Sequence, residues 1–129
     1  MKLDFTTIEK GTNCGYEIAE RRLIDSPEEW SEVWQQFTSD TIPAPSVPEI
    51  DFLSNQVIAV FAGNKPTGGY SVEILAVENT SSTSLDESSL ELTVEFREPQ
   101  PGEIVTEEIT QPYHIIKVPQ INARKVVLK

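Results

Sequence analysis

The chain has 129 residues, 21 acidic and 10 basic, so its formal net charge at pH 7 is −11. Phosphate groups would be repelled by this charge, which disfavours nucleic acid and anionic membranes as partners. The length predicts one domain over residues 1–129 with one hydrophobic core, and no window reaches the roughly 20 apolar residues that membrane insertion by a helix requires.

The N-terminal segment, MKLDFTTIEKG, lacks the apolar stretch of a signal peptide. This segment predicts a cytoplasmic protein for the chain as given. Export remains an alternative if a signal peptide has been removed from the sequence. Cys14 is the one cysteine. An internal disulfide and a multi-cysteine metal site are therefore excluded.

Two strands are predicted before the first helix. Residues 3–8 partly alternate between apolar and polar types and end at a turn signal over residues 10–13. Residues 16–24 alternate in the same way and end before Asp25.

A helix start signal follows, with Ser26 as N-cap, Pro27 at the first helical position and Glu29 completing a capping box. The pattern predicts an amphipathic helix over about 26–38. An aromatic stripe at helical spacing is typical of a core face rather than a ligand platform. The stripe consists of Trp30, Val33, Trp34 and Phe37. Three prolines within residues 39–49 then predict a stiff connector.

Residues 57–61, VIAVF, are consecutive apolar residues rich in β-branched types, and they predict a strand buried on both faces. A tight turn is predicted before it at 54–56. The loop after it, GNKPTGGY over residues 63–70, leads into a strand that ends near residue 77. Because this loop is longer and richer in glycine than a hairpin requires, we expect it to be a contact surface.

The C-terminal half predicts a serine-rich loop at 78–89, then a strand at 90–97 with one solvated face because its apolar residues strictly alternate. A turn is predicted at 98–102, and further strands at 104–109, 114–118 and 124–128. These elements predict a mainly β fold, an antiparallel β-sandwich or curled sheet with one amphipathic helix.

The sequence contains no recognisable catalytic constellation, and neither a cofactor nor a metal site is predicted. Residues 63–70 have the glycine spacing of a phosphate-binding loop, but two of its required residues are replaced. Gly69 stands where the lysine is required, and Tyr70 stands where the serine or threonine that binds the metal is required. Cys14 and His114 are the only thiol and imidazole, so a small hydrolase using both is a minor alternative. We interpret His114 as a structural side chain on its strand, and we do not expect an enzyme.

Three ordered segments together resemble the PrcB C-terminal domain. They are GNKPTGGYSV at 63–72, PQPG at 99–102 and QPYHIIKVP at 111–119, and the resemblance is strongest over 57–119. That family is named for a subunit of a bacterial surface protease complex. The resemblance implies a non-catalytic module that binds, stabilises or regulates a protease.

Residues 66–70, PTGGY, are also similar to the loop of chagasin-type cysteine-protease inhibitors, a β-sandwich family. Gly68 replaces the second threonine of that loop, and the segment at 111–113 stands in for an Arg-Pro-aromatic loop. This similarity implies protease inhibition as the alternative function.

Together these observations predict a partner-binding surface made of two loops, with another protein as the partner. The predicted residues are Asn64, Lys65, Pro66, Thr67, Gly68, Gly69, Tyr70, Pro112 and Tyr113. The competing interpretation is that the glycines serve backbone geometry alone.

Overall fold

The computed structural model describes residues 2–79 and 89–129. These two ranges contain eight strands and one helix. In chain order they are β1 (Lys2–Leu3), β2 (Thr6–Gly11), β3 (Glu20–Ile24), α1 (Pro27–Phe37), β4 (Asn55–Phe61), β5 (Ser71–Asn79), β6 (Ser89–Arg97), β7 (Tyr113–Pro119) and β8 (Lys125–Leu128).

The strands form two sheets that pack face to face. The first sheet has the order β1-β5-β6-β8 and the second has the order β2-β7-β4-β3. Neighbouring strands are antiparallel except β6 and β8, which are parallel. The predicted β-sandwich with one helix is confirmed.

Strand β4 supplies side chains to two cores. Val57, Ala59 and Phe61 pack under the helix, whereas Ile58 and Val60 pack between the two sheets. Side chains alternate across a strand, so a strand covered on both sides must be apolar at every position. The prediction for residues 57–61 is confirmed.

Helix α1 covers the outer face of the second sheet. The Ser26 hydroxyl accepts the hydrogen bond of the Glu29 backbone N–H at 3.2 Å, as an N-cap should. The Glu29 carboxylate accepts from Arg22 of β3 at 3.1 Å, which ties the helix start to the sheet. The predicted apolar stripe is buried: Trp30, Val33, Trp34 and Phe37.

The proline-rich connector lies over the helix. The indole N–H of Trp30 donates to the carbonyl of Pro48, and that of Trp34 donates to the carbonyl of Pro45, both at 2.9 Å. A buried indole needs such an acceptor. The two bonds therefore explain how a segment without secondary structure is held in place.

His114 of β7 lies between the two sheets and is 2% exposed. Its Nδ1 accepts from the backbone N–H of Ile74 at 2.9 Å, and its Nε2 lies 2.8 Å from the Thr7 hydroxyl. Because a backbone N–H can only donate, Nδ1 carries no proton and Nε2–H donates to Thr7. Burial lowers the pKa of His114, and the charge of Lys10 lowers it further. The structural interpretation of this histidine fits its position.

Acid is expected to destabilise the fold through His114. Its folded pKa lies below the unfolded value of about 6.5, so the unfolded chain binds more protons as pH falls through that value. Stability should therefore be full above pH ~6.5 and decline below it, by up to about 1.4 kcal/mol per pH unit. Urea unfolding from pH 7 to 5 should show this slope in the wild type and a smaller slope in His114→Gln. Equal slopes in the two proteins would contradict the assignment.

The strand predicted at residues 104–109 is wrong. These residues adopt no strand, and Ile104 and Ile109 are 98% and 60% exposed. The segment makes only one isolated β-bridge at its end, between Lys65 and Thr110. A segment with β-branched residues forms a strand only where a sheet edge is available to pair with it.

Several predicted boundaries also needed correction. The strand predicted at 3–8 is divided between two strands, because the chain crosses from the first sheet to the second at Asp4 and Phe5. Strand β2 then continues into the turn predicted at 10–13 and ends at Gly11. Of the strand predicted at 16–24, only residues 20–24 pair in a sheet, as β3. Tyr16 instead stacks on Phe61, with ring centroids 3.8 Å apart.

The turn predicted at 54–56 lies at residues 52–54, and β4 begins at Asn55. Strand β5 extends to Asn79, into the segment predicted as a loop at 78–89, of which residues 80–88 lie outside the described ranges. In β6, Leu90 and Leu92 are buried as the alternation predicts, but Phe96 on the same face is 52% exposed.

Candidate functional site

The loop between β4 and β5 carries the chain from the second sheet to the first. Hydrogen bonds pin its start at three places. The N–H of Ala62 donates to the carbonyl of Pro112, and that of Asn64 donates to the carbonyl of Glu17, both at 2.9 Å. Lys65 exchanges two backbone hydrogen bonds with Thr110, at 2.8 and 2.9 Å. The loop is therefore fixed before it turns outward.

The tip of the loop packs on the segment at 104–109. The Gly68 N–H donates to the carbonyl of Thr106 at 3.0 Å, and the Thr110 hydroxyl donates to the carbonyl of Thr67 at 2.9 Å. The Thr67 hydroxyl donates to the Gly68 carbonyl at 2.8 Å. These bonds give residues 104–109 a role that the strand prediction missed, as the support of the loop.

The two adjacent glycines are needed for different reasons. Gly69 has φ +87°, and a Cβ there would lie 2.8 Å from Val105 and 2.9 Å from Pro99. Gly68 has no positive φ, but a Cβ there would come within 2.6 Å of the Thr106 hydroxyl. Backbone conformation therefore favours glycine at position 69, and close packing against Thr106 favours it at position 68.

A groove opens between this loop and the turn that follows β6. Its volume is about 810 Å³. We call it the proline groove, because three prolines line it together with two aromatic rings and Lys65: Pro99, Pro101, Pro112, Tyr70, Phe96 and Lys65. Charged side chains of both signs also line it: Glu95, Glu98 and Arg97.

Lys65 is half-buried at the groove wall. Its Nζ lies 5.8 Å from the centroid of the Tyr70 ring, a cation–π distance. Within the described ranges no carboxylate lies within 4 Å of this ammonium group. The groove also contains the carboxylates of Glu95 and Glu98, so it carries charges of both signs, and Lys65 makes no ion pair with a described residue.

The structure brings most of the predicted site residues together. Tyr70, Lys65 and Pro112 line the groove. Asn64 and Pro66 are exposed beside it, and the Asn64 side chain accepts from Gln111 at 2.9 Å.

Tyr113 lies apart from the other predicted site residues. It is 8% exposed and belongs to the core under the helix, where its ring meets Phe37 edge-on at 4.7 Å. Successive residues of a strand point to opposite faces, which separates Tyr113 from the groove side of the sheet. We therefore leave it out of the proposed surface.

The groove residues that the prediction did not name include Phe96, Pro99 and Pro101. The alternating pattern predicted Phe96 as a core residue, and the prolines were assigned only to a turn. The available signal was the turn segment itself, since PQPG supplies two of the groove prolines.

Cys14 and His114 lie on opposite faces of the second sheet. Cys14 packs in the core under the helix, whereas His114 bonds to Ile74 of the first sheet. Burial raises the pKa of Cys14 to about 11, so the group is a thiol at neutral pH. This geometry offers no nucleophile–base pair. Among the described residues no three or more metal-ligating side chains cluster.

The family comparison decides the assignment of the segment that builds this groove. Residues 56–119 match the family model described as PrcB C-terminal. This segment is similar to the PrcB C-terminal family. The PrcB match covers β4 from Gln56 onward, β5, β6, β7 and every groove residue named above. No curated protein and no solved structure matches the chain, and the similarity to chagasin-type inhibitors is not shown. None of the described helices is long and apolar enough to span a membrane.

Proposed function

We propose that this chain is a non-catalytic, protease-associated subunit that binds its partner through the proline groove. The observation that carries the proposal is the groove itself, because all of its lining residues fall inside the segment that matches the PrcB C-terminal family model. The PrcB C-terminal family is that of a protease-complex subunit, which makes a protease the first partner to test.

The chemistry of the groove suits protein binding. Proline loses almost no side-chain entropy on binding, and tyrosine and phenylalanine offer large apolar areas with few rotatable bonds. Backbone hydrogen bonds at Ala62, Asn64 and Lys65 hold one wall in place before a partner arrives. A preorganised surface of prolines, aromatic rings and charged side chains of both signs is typical of a contact site rather than a reaction centre.

A capture experiment tests the proposal. The chain, immobilised, is exposed to extract of its native cells, and captured proteins are assayed for protease activity. We then expect the purified protease to keep its activity longer at elevated temperature when the chain is added. A stoichiometric loss of activity would favour the inhibitor alternative, and no capture of a protease would contradict the proposed partner.

A further inference from the structure

A slot lies between two strands that form the edges of their sheets, β3 of the second sheet and β8 of the first. Its volume is about 550 Å³. It shares no lining residue with the proline groove, so it is a separate site. We call it the arginine slot, and the described residues that line it come from β3 and from the start of β8: Arg21, Arg22, Leu23, Arg124, Lys125 and Val126.

The slot is basic in a chain that is otherwise acidic. Four of the ten basic residues of the chain line it, whereas no aspartate or glutamate of the described ranges does. Arg21 and Arg124 are both exposed, and neither forms an ion pair with a described residue. Two guanidinium groups that line one slot repel each other, and an anion placed between them is attracted by both.

The carboxylate that adjoins Arg21 in sequence is turned away from the slot. Successive residues of a strand point to opposite faces, which puts Glu20 and Arg22 on the helix side of β3 and Arg21 on the other side. Glu20 accepts from Arg22 at 2.8 Å, and Arg22 also donates to Glu29 of the helix at 3.1 Å. The acids of this region therefore pair with Arg22 and leave Arg21 to the slot.

Asp25 lies beside the slot without neutralising it. Asp25 and Arg124 line a neighbouring cavity, but they form no ion pair, and the Asp25 carboxylate accepts from the Gln120 side chain at 2.8 Å. Acids farther away act weakly, because salt screens exposed charges beyond about 8 Å at physiological ionic strength. The local charge of the slot is therefore positive although the net charge of the chain is −11.

The backbone of β8 adds a hydrogen-bond donor to the slot. The N–H of Lys129 donates to the carbonyl of Leu92 at 2.8 Å, so every second residue of β8 directs its N–H toward β6. Val126 is out of phase with Lys129, and its N–H is directed to the opposite side, where the slot lies. Within the described ranges no strand pairs with β8 on that side.

We propose that the arginine slot binds a phosphate group, of free inorganic phosphate or of a small phosphate monoester. A guanidinium group pairs with phosphate through two parallel hydrogen bonds. A tetrahedral phosphate then has oxygens left for a second guanidinium and for the Val126 N–H, whereas a planar carboxylate has two oxygens in all. Because Arg21 belongs to one sheet and Arg124 leads into the other, the bound phosphate joins the two sheets at this edge.

The test is an NMR titration of the isotope-labelled full chain with sodium phosphate at constant ionic strength. We expect saturable shifts of the Val126 amide and of the side-chain Nε–H signals of Arg21 and Arg124. Sodium acetate at the same ionic strength should bind at least about tenfold more weakly. A parallel titration with glycerol phosphate distinguishes the two sources: tighter binding than inorganic phosphate assigns the slot to an ester, and weaker binding assigns it to the free ion.

Variants locate the binding. Arg21→Gln and Arg124→Gln should each weaken phosphate binding at least about fivefold, with thermal melts close to the wild type because both residues are exposed. Lys2→Gln removes the same charge at an exposed site outside the slot and should leave phosphate binding unchanged.

Shifts that do not saturate, equal binding of acetate, or the same affinity in all three variants as in the wild type would overturn the inference. Capture of a protease through the proline groove is a different measurement on different residues, so the proposed function stands or falls independently.

Discussion

Replacing Trp34 by alanine is expected to lower the free energy of unfolding by about 3–5 kcal/mol. The side chain is 6% exposed, and its ring lies 5.5 Å from that of Trp30 and 5.1 Å from that of Phe37. The substitution leaves a cavity between helix and sheet, and it also removes the hydrogen bond that holds Pro45. Denaturant unfolding measures the loss.

The control for Trp34→Ala is Gln35→Ala, which changes the next residue on the exposed face of the same helix. This control should change stability by less than about 0.5 kcal/mol. Similar unfolding curves for Trp34→Ala and the wild type would mean that the helix does not cover the core.

Replacing Gln56 by leucine is expected to cost about 2–4 kcal/mol, although the two side chains have similar size. Gln56 is fully buried, donates to the carbonyl of Ala123 at 3.0 Å and accepts from the N–H groups of Ala123 and Ile121 at 3.2 and 3.4 Å. Leucine would leave these backbone groups without partners inside the protein. A buried group without a hydrogen bond costs more than the net gain from forming one.

The readout for Gln56→Leu combines denaturant unfolding with amide exchange in β8, since residues 121–123 lead into that strand. Exchange there should accelerate more than in β4. Gln35→Leu, the same change at an exposed site, should leave both measurements close to the wild type. A stable Gln56→Leu variant with slow exchange in β8 would show that the amide does not hold this connection.

Local signals were enough to predict the elements whose structure depends on their own residues. The capping Ser26 and the stripe through Trp30 and Trp34 specify a helix and its buried face. The unbroken apolar run at 57–61 specifies a strand with two covered faces. Each of these patterns specifies one type of secondary structure and its buried faces from its own residues alone.

Predictions failed where the outcome depends on a distant neighbour. Residues 104–109 were predicted as a strand, but they find no sheet edge and instead support the loop through Thr106. Phe96 follows the core alternation of β6, but it projects beyond the end of β8 and is exposed. Neither pairing partners nor the end of a neighbouring strand can be read from the local pattern.

The structure brings residues of the predicted loop to one groove, and that groove has further lining residues that were not predicted. Lys65 and Tyr70 meet in the groove, as the glycine- and proline-rich loop indicated. Tyr113 adjoins a groove residue in sequence, but the alternation of β7 turns its ring into the core. Phe96 and Pro99 come from the neighbouring sheet and turn, which only the folded chain brings to the same groove.

Binding of the captured protease by the Lys65→Glu variant tests the role of the proline groove most directly. Calorimetric titrations compare wild type, Lys65→Glu and the control Arg124→Glu, which makes the same charge change at an exposed site outside the groove. Thermal melts run beside them should show Lys65→Glu within about 1 kcal/mol of the wild type, since it loses only a cation–π contact. We predict at least about tenfold weaker binding for Lys65→Glu and unchanged binding for Arg124→Glu. Equal affinity of Lys65→Glu and the wild type would contradict the assignment of the groove as the contact surface.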